Sequence, residues 1–408
     1  MPVTRALKVV VIGGGIGGLT IASALMARGI AVEVYEQTDE LTPVGAGIQL
    51  TPNAVKVLRA LDLESGLRES GFLPWATVGR DWRSGKVVFR TPLAGECERL
   101  YGAPYVQIHR ADLQRILCEK LPPSTVRLGQ RCVALRTEQK AAIARFADGS
   151  EVEADLVVAA DGIRSVARTT LFTEGAPRFT GNMCWRSVIP FDAPDFELVE
   201  PVNAIWFGPR GHVVTYYVNG GNAVNLVACL ETETWTEESW TARSTTAELG
   251  AAYAGWHPKL QRLFERAHEV FKWGLFDRDP MPGWTVGRVT LLGDAAHPML
   301  PYLSQGAAMA MEDGLVLARM LAESPEDVAP ALRRYEAIRI PRTARVQLTS
   351  RAQGQKNHLI SPWARLRRDL VYRLRNLIDP QSTGLKAGWV YEYDAARADA
   401  ETVTVAAE

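Results

Sequence analysis

A chain that passes from a short apolar strand straight into clustered glycines and then a helix has few folds open to it. Residues 7–28 read LKVVVIGGGIGGLTIASALMAR. Apart from Lys8, the first six are apolar and mostly β-branched, as in a strand buried on both faces. Gly13-x-Gly15-x-x-Gly18 follows, and Leu19, Ala22, Leu25 and Met26 then recur at helical spacing. A second strand over residues 31–36 ends at Glu36, 18 residues beyond Gly18. In such a βαβ unit one glycine makes the tight turn, one admits a pyrophosphate to the backbone, and one lets helix and strand pack closely. The helix N-terminus offers N–H groups and partial positive charge to the phosphates, and the acid suits ribose hydroxyls. The unit predicts nucleotide binding and leaves FAD or NAD open.

The length, 408 residues, predicts two or three domains with an ample core. Lys plus Arg equals Asp plus Glu at 46 each, so no bulk charge draws the chain to nucleic acid. No apolar run reaches membrane-spanning length, and no signal peptide is expected ahead of a core strand. Cys97, Cys118, Cys132, Cys184 and Cys229 are odd in number and scattered. They predict neither a disulfide framework nor a zinc site, and fit a reducing cytoplasm. No metal site is expected.

Along the chain, residues 43–50 (PVGAGIQL) place glycines around Ala46, implying close backbone approach at Gly47. Pro52 opens a helix through Leu61. A hairpin spans residues 77–89 with Ser84-Gly85 in its turn. Val106 and Ile108 alternate as in a strand, and Arg110 stands where that strand gives way to a helix, placed to lie over phosphates or a flavin edge. Residues 141–146 and 151–160 read as two strands joined at Asp148-Gly149. The second runs into Asp161-Gly162 and a helix. Residues 181–230 alternate aromatic and β-branched residues between turn signals, as in an antiparallel sheet. Residues 235–268 read as largely helical. A strand at 288–292 leads into Gly293-Asp294-Ala295-Ala296-His297-Pro298, and a polar loop then reaches Gly306 and a helix over 307–321. Residues 333–378 are helical and basic, with an apolar stripe of Trp363, Leu366, Leu370, Leu374 and Leu377. A helix packed on its own domain or at a dimer contact is favoured for them over a membrane-surface helix. The tail from residue 392 onward reads as disordered.

The N-terminal glycines, Asp161-Gly162 and the Gly293-Asp294 segment occur in the order seen in single-component (group A) flavoprotein aromatic hydroxylases, which the chain resembles. Within that family it is most similar to salicylate 1-monooxygenase, 3-hydroxybenzoate 6-monooxygenase and 6-hydroxynicotinate 3-monooxygenase. This rests on residues 45–48, 101–105, 109–113, 293–313 and 389–394. The resemblance implies an α/β fold with a Rossmann-like FAD-binding domain over 1–180 and 275–325. An antiparallel-sheet substrate domain would be inserted over 181–274, joined by the hairpin at about 72–92. A helical region and tail would fill 326–408. The expected FAD contacts are Gly13, Gly15, Gly18, Glu36, Gly47, Arg110, Asp161, Gly293, Asp294, Pro298, Gly306 and Ala307. Asp294 would accept from ribityl hydroxyls, and the Gly306 helix start would face the flavin edge that becomes negative on reduction. NADH or NADPH would reduce FAD, O2 would add, and the flavin hydroperoxide would hydroxylate an electron-rich ring. A homodimer is expected by family analogy alone.

His212 and Tyr216, four residues apart on one strand, point to the same face. Tyr216 is expected to bind or deprotonate the substrate hydroxyl with His212 assisting, and Gln49 and Pro301 to touch the substrate. The 6-hydroxynicotinate enzymes carry a histidine where this chain has Gln49, a departure that weakens that assignment. His297 is expected to orient backbone. A substrate carboxylate would want Arg186 or Arg83. The competing expectations are a hydroxylase of a larger aromatic, an FAD oxidase or reductase, and a flavin-binding protein without turnover.

Overall fold

The computed structural model describes residues 7–41, 46–172, 176–233, 242–324, 326–379 and 388–399. Gly45, Trp235 and residues 400–408, which belong to stretches read above, lie outside them. Strand Lys8–Ile12 sits within a six-stranded sheet ordered Thr285–Val286, Val289–Leu291, Leu156–Ala159, Lys8–Ile12, Ala31–Tyr35, Val126–Arg127. All pairings are parallel except that of the two strands at the Thr285 edge. Val9, Val10 and Val11 have no exposed surface, which is why this strand is a continuous apolar run. Helix Ile16–Met26 packs on helix Gly306–Glu323. A Cβ at Gly314 would come within 2.9 Å of the Ile21 nitrogen, so the glycine sets how closely the first and last motifs approach.

The single strand expected over 151–160 is two. Glu151–Ala154 pairs antiparallel with Ala142–Phe146, and Leu156–Ala159 joins the parallel sheet. Asp155 turns the chain between them: its N–H donates to Lys8 O at 3.0 Å and its carboxylate accepts from Lys8 N at 2.8 Å.

The second sheet has eight strands, ordered Arg243–Ser244, Val270–Asp277, Arg178–Pro190, Ala223–Glu231, Gly211–Val218, Asn203–Gly208, Ala76–Asp81, Val87–Pro92. It is not wholly antiparallel as expected. The hairpin reaches its edge by a crossover, so Ala76–Asp81 runs parallel to Asn203–Gly208. One face buries Trp185, Val213 and Tyr217 in the same apolar core as Leu249, Leu260 and Leu263 of helices Thr246–Ala252 and Pro258–Glu265. The other face turns toward strands Gly47–Leu50 and Val106–His109, where Asn225 meets Gly47.

Three further expectations are corrected. Cys184 and Cys229 stand directly opposed in the sheet, Cα atoms 4.2 Å apart, and form a disulfide; 45 residues of separation hid a pair that strand register brings together. The basic C-terminal stretch is two helices, Val328–Asn357 and Pro362–Ile378. The second packs through Tyr372, edge-on to Phe89, and Arg368, 4.6 Å over Phe207. Of the two favoured placements, its leucine stripe does not take the one on its own domain but faces outward, as a dimer contact would require: Trp363 is 79% and Leu377 80% exposed. Finally, residues 392–399 are packed, with Ala395 and Ala398 buried and Tyr393 against Arg342.

Candidate active site

The three glycine–acid segments singled out in the sequence follow the carboxyl ends of three adjacent parallel strands, Lys8–Ile12, Leu156–Ala159 and Val289–Leu291, the edge where open α/β sheets bind ligands. Gly13 has φ +104°, and a Cβ at Gly18 would collide with the Gly13 carbonyl. At Gly15 a Cβ would meet nothing within 4 Å. Helix Ile16–Met26 starts there without a side-chain cap or an acid in its first turn, so its first N–H groups and dipole stay open to an anion. Glu36 lies at the same turn, accepting from Gly14 N at 2.6 Å and Thr38 N at 3.0 Å. Asp161 accepts from Val166 N at 2.7 Å, while its other oxygen is buried without a hydrogen-bond partner among the described residues.

Helix Gly306–Glu323 likewise begins without a side-chain cap or an early acid. The exposed Asp294 lies 3.9 Å from where a Cβ of Gly306 would stand. Gly306 and Ala307 form the first turn, Pro301 is exposed beside them, and Pro298 accepts from Gln347 at 2.9 Å. Two open helix starts and the carboxylates Glu36 and Asp294 fit the phosphates, hydroxyls and ring edge of a flavin dinucleotide.

Behind this loop is a buried ion cluster that sequence reading missed. Arg339 bonds Asp313 and Glu312, and Arg342 bonds Glu312, each at 2.7 Å. Burial alone would raise both acids, but Arg342 and Arg339 hold Glu312 low, and His297 and Arg339 hold Asp313 low. Asp313 also takes the N–H of Gly293 at 3.1 Å and His297 Nε2 at 2.5 Å. His297 is thereby bound to the acid that holds the loop, as an orienting residue would be. Asn53 links Glu312 to Gln305 at 2.7 and 3.0 Å. The adjacent Glu312-Asp313 amid the apolar run of residues 306–318 was the available signal.

The face of the eight-stranded sheet turned toward these loops can be read from register. Directly opposed residues share a face, so Val188, Asn225 and Tyr216 form one row, Arg186, Val227, Val214 and Ile205 the next, and Cys184, Cys229, His212 and Phe207 a third. His212 and Tyr216 thus lie on one face, with Val214 between them. Asn225 accepts from Gly47 N at 2.7 Å, and a Cβ on Gly47 would press to 2.7 Å from Tyr216 and Asn225; only glycine lets the two layers close here. Gln49 is a strut: its carbonyl accepts from Tyr105 at 2.5 Å and Ser304 at 3.0 Å, and its amide donates to Asn203 at 3.0 Å. Gln107, directly across from Gln49, is fully buried, and neither end of its amide has a partner among the described residues.

Of the two arginines, Arg83 stacks near Trp82 at the hairpin tip, whereas Arg186 lies 4.1 Å over Trp273 and senses both Tyr216 and Arg110. It makes no ion pair among the described residues, and its Nε is buried without a partner. Burial pulls its guanidinium down to about 10, so it stays charged at neutral pH. Burial pushes the Tyr216 phenol well up, only partly offset by Arg186, and holds the His212 imidazole well below its usual range, assisted by His358 and Arg368. Both are therefore neutral at pH 7. Two clefts, about 580 and 130 Å³, line the opposite side of the sheet and its helices, around Lys259; neither touches this face.

An open dinucleotide groove against a half-buried, partly charged sheet face defines a flavin-dependent oxidoreductase. The chain matches the FAD binding domain family over residues 6–350 and belongs to it. It is 42% identical to the 3-amino-4-hydroxybenzoate 2-monooxygenase PtnB3 of Streptomyces platensis over 96% of this chain and 98% of that one. It is 39% identical to the 6-hydroxynicotinate 3-monooxygenase of Bordetella bronchiseptica over 84% and 90%. A salicylate hydroxylase substrate complex superposes with TM-score 0.80 at 28% identity, covering 98% of each chain. The protein is an FAD-dependent aromatic monooxygenase, a class that draws its electrons from NAD(P)H.

Proposed function

We propose that the substrate is a benzoate carrying a hydroxyl and a neighbouring amino group, of the 3-amino-4-hydroxybenzoate kind, with 6-hydroxynicotinate as the second reading. The names of the relatives support the ring pattern. Arg186 carries the acid: a half-buried cation with no carboxylate partner among the described residues, one row from Tyr216 and one from His212, is costly unless an anion joins it. Bound FAD, reduced by NAD(P)H, supplies the activated oxygen from O2. The chain does the rest. Arg186 holds the carboxylate, the ring lies over Val214 and Val227, and the hydroxyl is received between Tyr216 and His212. Tyr216, kept protonated, hydrogen-bonds the substrate oxygen. His212, kept neutral, accepts its proton and leaves the ring electron-rich. The Gln49–Tyr105–Ser304–Asn203 knot excludes water at the seam between the layers.

The deciding experiment measures NADH and NADPH oxidation with 3-amino-4-hydroxybenzoate, salicylate, hydroxybenzoates, 6-hydroxynicotinate and larger phenols, with product masses. Strongest stimulation by the amino-hydroxy acid, with a product one oxygen heavier, is expected. Stimulation chiefly by uncharged phenols would remove the acid from the proposal. Peroxide alone, with every compound, would point to an oxidase.

Tyr216→Phe should lower turnover roughly 10- to 100-fold, the worth of one hydrogen bond to a developing charge, with FAD content unchanged. Wild-type turnover would take Tyr216 out of the reaction. We further propose a homodimer located in the cytoplasm, where reduced nicotinamide is made. The outward leucine stripe supports the dimer, and no helix among the described residues is long and apolar enough to cross a membrane. Light scattering should give twice 44.8 kDa, falling to the monomer mass on L370E/L374E. A monomer at the start would end the proposal.

A further inference from the structure

His212 does not stand alone. Its Nδ1 lies 2.8 Å from Nε2 of His358, the residue that ends helix Val328–Asn357. His358 Nδ1 lies 2.8 Å from Oδ1 of Asn182, on strand Arg178–Pro190. The Asn182 amide donates from Nδ2 to the Thr180 carbonyl at 3.0 Å. That carbonyl can only accept, so the amide orientation is set by its partner.

One direction of donation satisfies every member. Asn182 Oδ1 must accept, so His358 carries its proton on Nδ1. His358 Nε2 is then a lone pair, so His212 carries its proton on Nδ1. The lone pair of His212 is left on Nε2. His212 and His358 are 4% exposed each. Burial, with His358 and Arg368, keeps His212 uncharged, and burial takes His358 down to about 4. The other groups facing the pair are Tyr302, whose ring is 5.5 Å from His212 and 5.6 Å from His358, and Arg368, which is bound to the Lys356 carbonyl at 3.2 Å.

We propose that His358 and Asn182 are positioning residues that lock His212 in the tautomer able to take a proton at Nε2. This rests on the reading that the face carrying Tyr216 receives the substrate hydroxyl. As that proton arrives at His212 Nε2, the Nδ1 proton shifts toward His358 Nε2. The substrate becomes a phenolate, and the two imidazoles share one positive charge. Neither residue touches the substrate. Their part is to prevent the alternative tautomer, which would present a proton where a lone pair is needed.

The first test uses the FAD-loaded full chain labelled with ¹⁵N-histidine and no substrate. Long-range ¹H–¹⁵N spectra of its six histidines, assigned by single substitutions, should show Nδ1–H tautomers for His212 and His358 at pH 7. An Nε2–H tautomer at His212 overturns the lock. Because no substrate is present, this outcome is independent of the aromatic-acid reading.

The second test is kinetic. His358→Leu removes the acceptor and should lower kcat at least ~10-fold, with KM and FAD content held. His358→Gln, whose carbonyl can accept from Nδ1–H, should recover most of that loss. Equal rates for the two variants would overturn the proposal. Asn182→Asp keeps an acceptor and adds charge, so His358 should hold a proton more strongly. The acid limb of the kcat profile should then move up by about one pH unit or more. An unmoved limb would sever Asn182 from the chain.

Discussion

Gly15→Val gives a folded protein that retains no flavin. The backbone of Gly15 is extended, at φ −73° and ψ −178°, a conformation valine adopts readily. Its Cβ faces open space, so nothing in the protein itself resists the substitution. The expected cost to the apoprotein is that of a poorer helix N-cap, about 1 kcal/mol, or a few degrees in melting temperature. What the isopropyl group blocks is the approach of phosphate to the first N–H groups of helix Ile16–Met26. Affinity for FAD should fall at least ~100-fold, read as loss of flavin absorbance from purified protein and as failure to reload by titration. A yellow, stoichiometrically loaded variant with normal activity would mean that the dinucleotide phosphates pass elsewhere. A variant that melts far below wild type would contradict the open space at this position.

Arg186→Met should separate recognition of the carboxylate from everything else. Methionine fills a similar volume over Trp273 and removes the charge. Two charge-assisted hydrogen bonds from one fork are at stake, each worth about 1.5–3 kcal/mol. The expected effect is a rise in KM for the aromatic acid of ~100-fold or more, with FAD content unchanged. The matching aminophenol, which lacks a carboxylate, should lose almost nothing. Arg186→Lys should recover only part of the loss, since an ammonium lacks the planar fork. Equal losses for acid and aminophenol would assign Arg186 to holding the sheet face together, not to the substrate.

What could be read from the chain alone follows physical locality. The nucleotide-binding unit was legible because turn, helix start and acid are all encoded within residues 13–36. The same holds for Asp161-Gly162 and Gly293-Asp294, each a strand end followed by its own turn. Which face of the second sheet a residue occupies was legible for His212 and Tyr216, because alternation along one strand needs no partner. What crossed strands was not. Arg186 and Arg83 were equivalent candidates until register put one in the row between Tyr216 and His212. Cys184 and Cys229 were scattered thiols until two strands opposed them. His358 drew no reading of its own inside the basic helical stretch, since its meaning comes from Asn182, 176 positions earlier. The leucine stripe showed amphipathicity but not direction, because Tyr372 and Arg368 anchor that helix from its other side. The ion cluster combines both limits: the pair of acids was visible, but their arginines lie a helix away.

The order in which the chain leaves the ribosome gives that cluster a further meaning. Arg342 completes its bonding on the carbonyls of Trp389 and Val390, at 3.4 and 3.1 Å, and Lys56 donates to those of Tyr391 and Glu392 at 3.1 and 2.9 Å. Lys56 rides on the helix that carries Asn53, and Asn53 holds Glu312 and Gln305 behind the loop that follows Gly293. A nascent chain halted before residue 388 would therefore hold every strand of the parallel sheet and the arginine–carboxylate cluster behind the Gly293 loop, and still leave Arg342 and Lys56 without these carbonyl acceptors. The closing segment is thus a latch set last, over a cluster that the rest of the chain has already assembled.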